Sequence, residues 1–263
     1  MELITGNKFK KSSHYSYDEY GFVKQIEPKD NELLRIFVKV DYVHNFFKQK
    51  QERPYVLITH NSDIPIDSDY LQYMDDPNLI KWFGQNIMTT HYKLSSIPIG
   101  LANEKWEHGN ENIFYDVINQ NLSKERLIYV NFDVNTNRVE RNFCLSELNK
   151  KGLEMDNKLP FKEYLEQLGK SYFVVSPNGN GVDCHKTWEA LYLKTIPIVT
   201  KSINIDFYLD YPIIVIDSWS DFNPLDYTID LYDKKWAEFD NKNNNKLSLN
   251  EFLKYEKSFS DNI

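Results

Sequence analysis

Residues 172–201 read YFVVSPNGNGVDCHKTWEALYLKTIPIVTK, and this stretch decides the fold. Tyr172 to Val175 is a β-branched and aromatic run of the kind that forms a buried strand. It breaks at Ser176-Pro177-Asn178-Gly179-Asn180-Gly181, where Pro, Asn and two glycines make a loop able to bring bare backbone close to a ligand. Asp183 then stands where it would cap a helix carrying Lys186, Trp188, Glu189 and Leu191, and Thr195 to Val199 gives a second strand. Strand, Gly-rich loop, helix, strand is the phosphate-binding half of a doubly wound sheet, with backbone N–H groups and the positive helix end aimed at an anion. Neither Gly-x4-Gly-Lys-Ser/Thr nor G-x-G-x-x-G occurs in it. The order of parts therefore points to a nucleotide-sugar diphosphate, with Lys186 facing the diphosphate and Glu189, about one turn on, reaching the ribose hydroxyls. The alternative is a βαβ unit whose loop only turns the chain.

The run Ser176-Pro177-x-Gly179-Asn180-Gly181-x-Asp183-Cys184-His185-Lys186-Thr187-Trp188-Glu189-Ala190-Leu191, followed by Ile196-Pro197-Ile198-Val199, resembles the donor-site signature of exostosin-like glycosyltransferases. That family shows a Pro-x-Gly loop, a basic residue, Glu three positions later and a Pro-Val/Ile strand. A second block is similar to small exostosin-like proteins: Thr59-His60-Asn61-Ser62-Asp63, then Lys81 to Asn86, then Ile97-Pro98-Ile99-Gly100-Leu101-Ala102-Asn103. Together the two blocks cover roughly residues 54 to 220. The resemblance implies a donor site made of Pro177, Asn178, Gly179, Asn180, Gly181, Lys186 and Glu189; His185, adjacent to the lysine, would donate to a phosphate or, alternatively, simply pack. One departure stands out: the family carries Arg where this chain has Lys186, and a lysine supplies charge without the bidentate fork on phosphate.

Composition narrows the rest. The 263 residues suffice for one large or two small domains, with 41% hydrophobic and 15% aromatic residues to pack them. A net charge of -8, with no basic stripe interleaved with aromatics, argues against nucleic acid as a partner. Met1 to Ser13 has lysines but no apolar segment of signal-peptide kind, and no run of about 18 apolar residues occurs, so no membrane span is expected. Two cysteines, Cys144 and Cys184, are too few for a disulfide framework and fit a reducing, cytoplasmic compartment. Abundant Lys, Asn, Ile and Tyr point to an A/T-rich genome, bacterial or viral, and a viral chain would work in the host cytoplasm.

Residues 1–30 show no clear period and read as an irregular lead-in. Strands are expected at Arg35–Val40, Tyr55–Thr59, Leu79–Phe83 and Leu94–Ile99, and then at Arg126–Phe132 and Pro212–Ile216, with helices near Val139–Leu148 and Phe161–Leu168. Asn110–Lys124 is polar and would carry the crossover, while the tail from Tyr227 reads as helical. Strands alternating with helices indicate an α/β protein. Two successive units match a GT-B-like plan of two Rossmann-like lobes facing each other across a cleft: an acceptor-side lobe at 1–122 and a nucleotide-sugar-binding lobe with a helical tail at 123–263.

An inverting transfer needs a base for the acceptor hydroxyl. Asp63 and His60, just past the strand ending at Thr59, are the candidates, with Glu104 and His108 in reserve; the alternative is a turn-capping network of His60, Asn61 and Asp63. Arg138 and Arg141 follow the strand ending at Phe132, where an arginine can neutralise a departing diphosphate or, alternatively, lie on a solvated helix face beside Glu140. Asp67-Ser68-Asp69 spells the metal-binding D-x-D of other transferases, but in a polar turn of the wrong half of the chain. Asp240 to Glu251 imitates an EF-hand loop with Lys at position 3 and no Gly at position 6. Neither is expected to hold a metal, and no Ser-His-Asp or Cys-His nucleophile arrangement can be read off the sequence.

The expectation is thus a metal-independent, cofactor-free, inverting glycosyltransferase taking a UDP-linked sugar to a hydroxyl of a glycan acceptor. A GDP-fucose-type fucosyltransferase and a non-catalytic nucleotide- or carbohydrate-binding module are the alternatives.

Overall fold

A computed structural model describes residues 2–30, 32–242, 247–250 and 252–253. By its contacts the chain divides into two units, Met1–Gly100 with Asn245–Ile263, and Leu101–Asn244. Each has its own sheet, and both sheets are built mainly of parallel strands in a mixed α/β fold.

The first unit opens with α1 (Gly6–Ser12) and the hairpin β1 (Tyr15–Asp18) and β2 (Gly21–Lys24), followed by β3 (Leu34–Lys39), α2 (Val43–Phe46), β4 (Tyr55–His60), β5 (Leu79–Gly84) and β6 (Leu94–Ser96). The strand order is β2-β1-β3-β4-β5-β6; β2 is antiparallel to β1 and every other pairing is parallel. All six residues of β4 are buried, as a central parallel strand covered on both faces requires. Ile4, Phe9, Phe37, Val56, Ile58, Phe83, Ile97 and Leu249 form one core cluster.

Residues 1–30 are therefore not an irregular lead-in. The apolar pattern does not show the hairpin because β1 is inverted: it buries Ser16 and Asp18 and leaves its tyrosines half-exposed. The buried polar groups are matched, Asp18 by Lys10 Nζ at 2.5 Å and Ser16 Oγ by Gln25 Nε2 at 2.9 Å.

The second unit contains α3 (Glu111–Asn119), β7 (Arg126–Tyr129), α4 (Arg138–Lys150), α5 (Phe161–Gly169), β8 (Ser171–Val175), α6 (His185–Tyr192), β9 (Ile196–Thr200), α7 (Ile203–Asp206), β10 (Ile214–Ile216) and α8 (Ile229–Lys242). Its four strands run β10-β9-β8-β7, all parallel. Pro197 is tolerated in β9 because β10 pairs only from Ile198 onward, leaving the proline where the strand has one neighbour. The polar stretch before Lys124 holds α3, whose Phe114 lies 6.3 Å from the rings of both Phe161 and Tyr192, so this helix packs within the second unit. Trp188 anchors α6, fully buried against Tyr208 at 4.9 Å.

The two metal look-alikes have structural settings. Asp67 accepts the N–H of Asp69 at 3.0 Å and caps the short 3-10 turn Ser68–Tyr73. The EF-hand-like run lies partly outside the described residues; its first residue, Asp240, is inside α8 and pairs with Lys194 at 3.5 Å.

Gly6 opens α1 directly against the end of β4, where a Cβ would overlap Asn61 Oδ1 and the His60 ring. Gly6→Ala is expected to destabilise the protein by about 1–3 kcal/mol despite the better helix propensity of alanine, the range for overpacking. Urea unfolding checks this, and an unchanged midpoint would show that the contact relaxes freely.

Candidate active site

Parallel strands all end on the same edge of their sheet, and in open α/β sheets ligands bind outside those carboxyl ends. The loop Ser176–Cys184 lies there, between β8 and α6. Its helix is not capped by Asp183 as the sequence led us to expect. The N-cap position falls on Cys184, which makes no side-chain cap bond, while Asp183 Oδ1 accepts the Trp188 indole N–H at 2.8 Å. The carboxylate serves a buried tryptophan that the sequence pattern could not pair with it.

Lys186 and Glu189 are three residues apart on α6, so their side chains share a face. Glu189 is buried, with 5% of its surface exposed, and Tyr164 Oη on α5 donates to its Oε2 at 2.7 Å. Burial raises the Glu189 pKa, opposed by the Tyr164 hydrogen bond and by the charges of Lys186 and His108. Burial likewise pushes the Tyr164 hydroxyl well above its usual range, so it stays a donor. Lys186 donates to the backbone carbonyl of Asn131, in the segment after β7, and its ammonium lies 5.1 Å from the centre of the Tyr164 ring. Burial pulls its pKa down to about 8, with Glu189 acting to raise it and Arg141 to lower it. His108 joins from the short turn Glu107–Gly109, its ring 6.4 Å from that of His185 and 6.1 Å from a stacked Trp106. Its pKa is lowered by burial first, with Glu189 pulling upward. A perturbed lysine is not by itself a site: Lys124 is also pulled to about 7 by burial, yet its ammonium is held by the Ser171 carbonyl at 2.7 Å and Thr195 Oγ1 at 2.9 Å.

Arg141 is turned to the loop backbone. It is 8% exposed, and its guanidinium donates to three backbone carbonyls: Asn178 at 2.8 Å, Asp133 at 2.7 Å and Pro177 at 3.3 Å. Nor is the whole loop backbone open, because the Asn178 N–H goes to Glu140 Oε1 at 3.1 Å and the Gly179 N–H to the Gly181 carbonyl at 3.1 Å. Arg138 is exposed on α4.

The base candidates fall in different units. His60, in the first, is 2% exposed and has both ring nitrogens engaged: Nδ1 accepts the Asn61 N–H at 2.7 Å, which leaves Nε2 to donate to the Pro98 carbonyl at 3.1 Å. These bonds tie His60 to Asn61 and to Pro98, and Asn61 takes the left-handed conformation, with φ of 63°, that Asn tolerates. Asp63 is exposed on the loop after β4. Glu104 is exposed in the second unit.

The sequence does not mark Tyr164 or Asn131, and it shows Glu140 only as a partner on a helix face. Tyr164 stands in the helical stripe Phe161-Tyr164-Leu165-Leu168 and looks like core. Asn131 contributes a carbonyl, which no side-chain pattern marks. Glu140 ends Asn137-x-x-Glu140, the pattern of a helix start, and Asn137 does cap α4 by accepting the Glu140 N–H at 3.2 Å.

Residues 107–206 match the family model of the RXYLT1 C-terminal domain. The match suggests a glycosyltransferase. It supports the exostosin-like resemblance, and it spans His108, Asn131, Arg141, Tyr164, the loop, Lys186 and Glu189. No curated protein matches the chain.

The Lys186 pKa has a stability consequence. Its folded value, about 8, lies below the ordinary 10.5. Between these values the unfolded chain holds the proton more tightly, so this group makes stability rise with pH, by at most about 1.4 kcal/mol per unit. Wild type is expected to gain stability from pH 8 to 10 relative to Lys186→Met. Parallel urea-unfolding profiles for the two proteins would contradict the burial of this ammonium.

Proposed function

We propose that the chain is a glycosyltransferase that moves a sugar from a nucleotide-diphosphate donor, UDP-linked, to a hydroxyl of a glycan acceptor, with inversion and without a metal. The observation that carries this is the pairing of Lys186 and Glu189 on α6, at the carboxyl end of β8 in an all-parallel sheet and inside the matched span. Glu189 would accept the ribose hydroxyls, its carboxylate held in place by Tyr164. Lys186 would turn from the Asn131 carbonyl to the diphosphate, where negative charge grows as the anomeric C–O bond breaks and its electron pair passes to the leaving phosphate oxygen. The acceptor oxygen attacks the opposite face, and its proton goes to a base on the protein. Asp63 is our candidate, as an exposed carboxylate after a parallel strand; Glu104 stands second, and His60 is weakened by the engagement of both its nitrogens.

Two largely parallel sheets in separate units support the GT-B plan. Two free cysteines support a reducing, cytoplasmic compartment. No helix among the described residues is long and apolar enough to cross a membrane. The lysine in place of the family's arginine favours, as second reading, a module that binds nucleotide or sugar without turnover.

Calorimetry with UDP and GDP tests the proposal. Wild type is expected to prefer UDP, and Glu189→Ala to weaken that binding by about 1.5–3 kcal/mol, the range for hydrogen bonds to a charged group. Unchanged affinity removes Glu189 from the site, and a preference for GDP moves the donor to the fucosyl class. In turnover assays, Asp63→Asn is expected to lower kcat by about 10²–10⁴-fold with UDP affinity intact. Near-normal turnover with a collapse in Glu104→Gln would transfer the base role to Glu104, and a protein that binds donor but never turns over would favour the binding module.

A further inference from the structure

At the carboxyl ends of three parallel strands, one carboxylate oxygen collects three donors. Glu140 Oε1 accepts the Asn178 N–H at 3.1 Å, the Thr200 hydroxyl at 3.3 Å and the Trp219 indole N–H at 3.3 Å. These donors come from the loop after β8, the last residue of β9 and the short turn Trp219–Asp221 after β10. The same turn of α4 grips the loop by its carbonyls as well. Arg141 takes those of Pro177 and Asn178, and Asn137 Nδ2 takes that of Gly179 at 3.1 Å. Gly179 fits this grip because a Cβ there would stand 3.2 Å from Arg141 Nη2 and 3.4 Å from Cys184 Sγ.

We propose that Glu140 is a positioning residue of the donor site: with Arg141 it presets the Pro177–Gly181 loop before donor binds, and it ties that loop to the ends of β9 and β10. This rests on the functional reading above. A carboxylate suits the task because it accepts several hydrogen bonds and makes each one stronger than a neutral acceptor would. A loop already held in its binding conformation loses less freedom when a ligand arrives, so its affinity is higher. The arrangement also reassigns Arg141, whose contribution to the donor comes through the loop backbone and not through phosphate.

Four proteins test this: wild type, Glu140→Ala, Glu140→Gln and, as control, Val139→Ala, changed at an 87% exposed position of the same helix. Amide exchange is followed at Asn178 without ligand, and UDP affinity is measured by calorimetry well below each melting temperature. Glu140→Ala is expected to lose protection at Asn178 and to bind UDP about tenfold more weakly or worse, as loss of hydrogen bonds to a charged group implies. In turnover, the loss is expected in donor KM with kcat less affected, a split that a lowered folded fraction would not produce. Glu140→Gln keeps an acceptor oxygen and is expected to stay within about threefold of wild type; equal losses in both variants would overturn the hydrogen-bond account. Wild-type protein that binds UDP, together with a Glu140→Ala variant that binds it equally and keeps Asn178 protected, overturns this inference alone. Wild type that binds neither UDP nor GDP overturns the functional reading, and the positioning role with it.

Discussion

Parallel pairing is the constraint from which the candidate site follows. Strands β7 to β10 all run the same way, so the segments that leave them gather along one edge, and each strand must be followed by a crossover that returns to the other. The loop after β8, the end of β9 and the turn after β10 are thereby neighbours although residues 178 and 219 are far apart in sequence. A single side chain, Glu140, can then serve all three. The first turn of α4 reaches this edge because α4 itself starts just beyond the end of β7.

The chemistry on α6 is a contest between burial and charge. Burial alone would neutralise Glu189 and Lys186, raising one pKa and lowering the other. Their mutual attraction and the Tyr164 hydroxyl work against that: the hydroxyl fixes the orientation of the Glu189 carboxyl, and Lys186 keeps a pKa of about 8. Groups held this way are costly to keep in a folded chain, and such cost is commonly met at binding sites and catalytic sites. Lys124 marks the boundary of that argument, since the same desolvation there accompanies a purely internal set of hydrogen bonds.

Most strands of both sheets were legible because parallel strands buried on both faces read as continuous apolar runs, and Tyr55–His60 and Ser171–Val175 are runs of that kind. The β1–β2 hairpin was not, since it buries Ser16 and Asp18 and turns the usual alternation inside out. The loop and helix of the candidate site were legible from glycine, proline and the spacing of Lys186 to Glu189. Their partners were not, because Tyr164 and Glu140 sit in helix patterns that explain themselves locally, as core stripe and helix start.

The sequence by itself determined the strand–loop–helix–strand order of residues 172–201, the charge pair on one helix face and the α/β class, all of which depend on near neighbours and on periodicity. Only the tertiary structure decided what each polar group binds. Arg141 holds the carbonyls of the loop, His60 has both nitrogens bonded, and Asp183, placed in the sequence like a cap, receives an indole N–H. The physical reason is that a buried donor or acceptor must find a partner, and the partner is whichever group the packing brings within about 3 Å, at any separation along the chain.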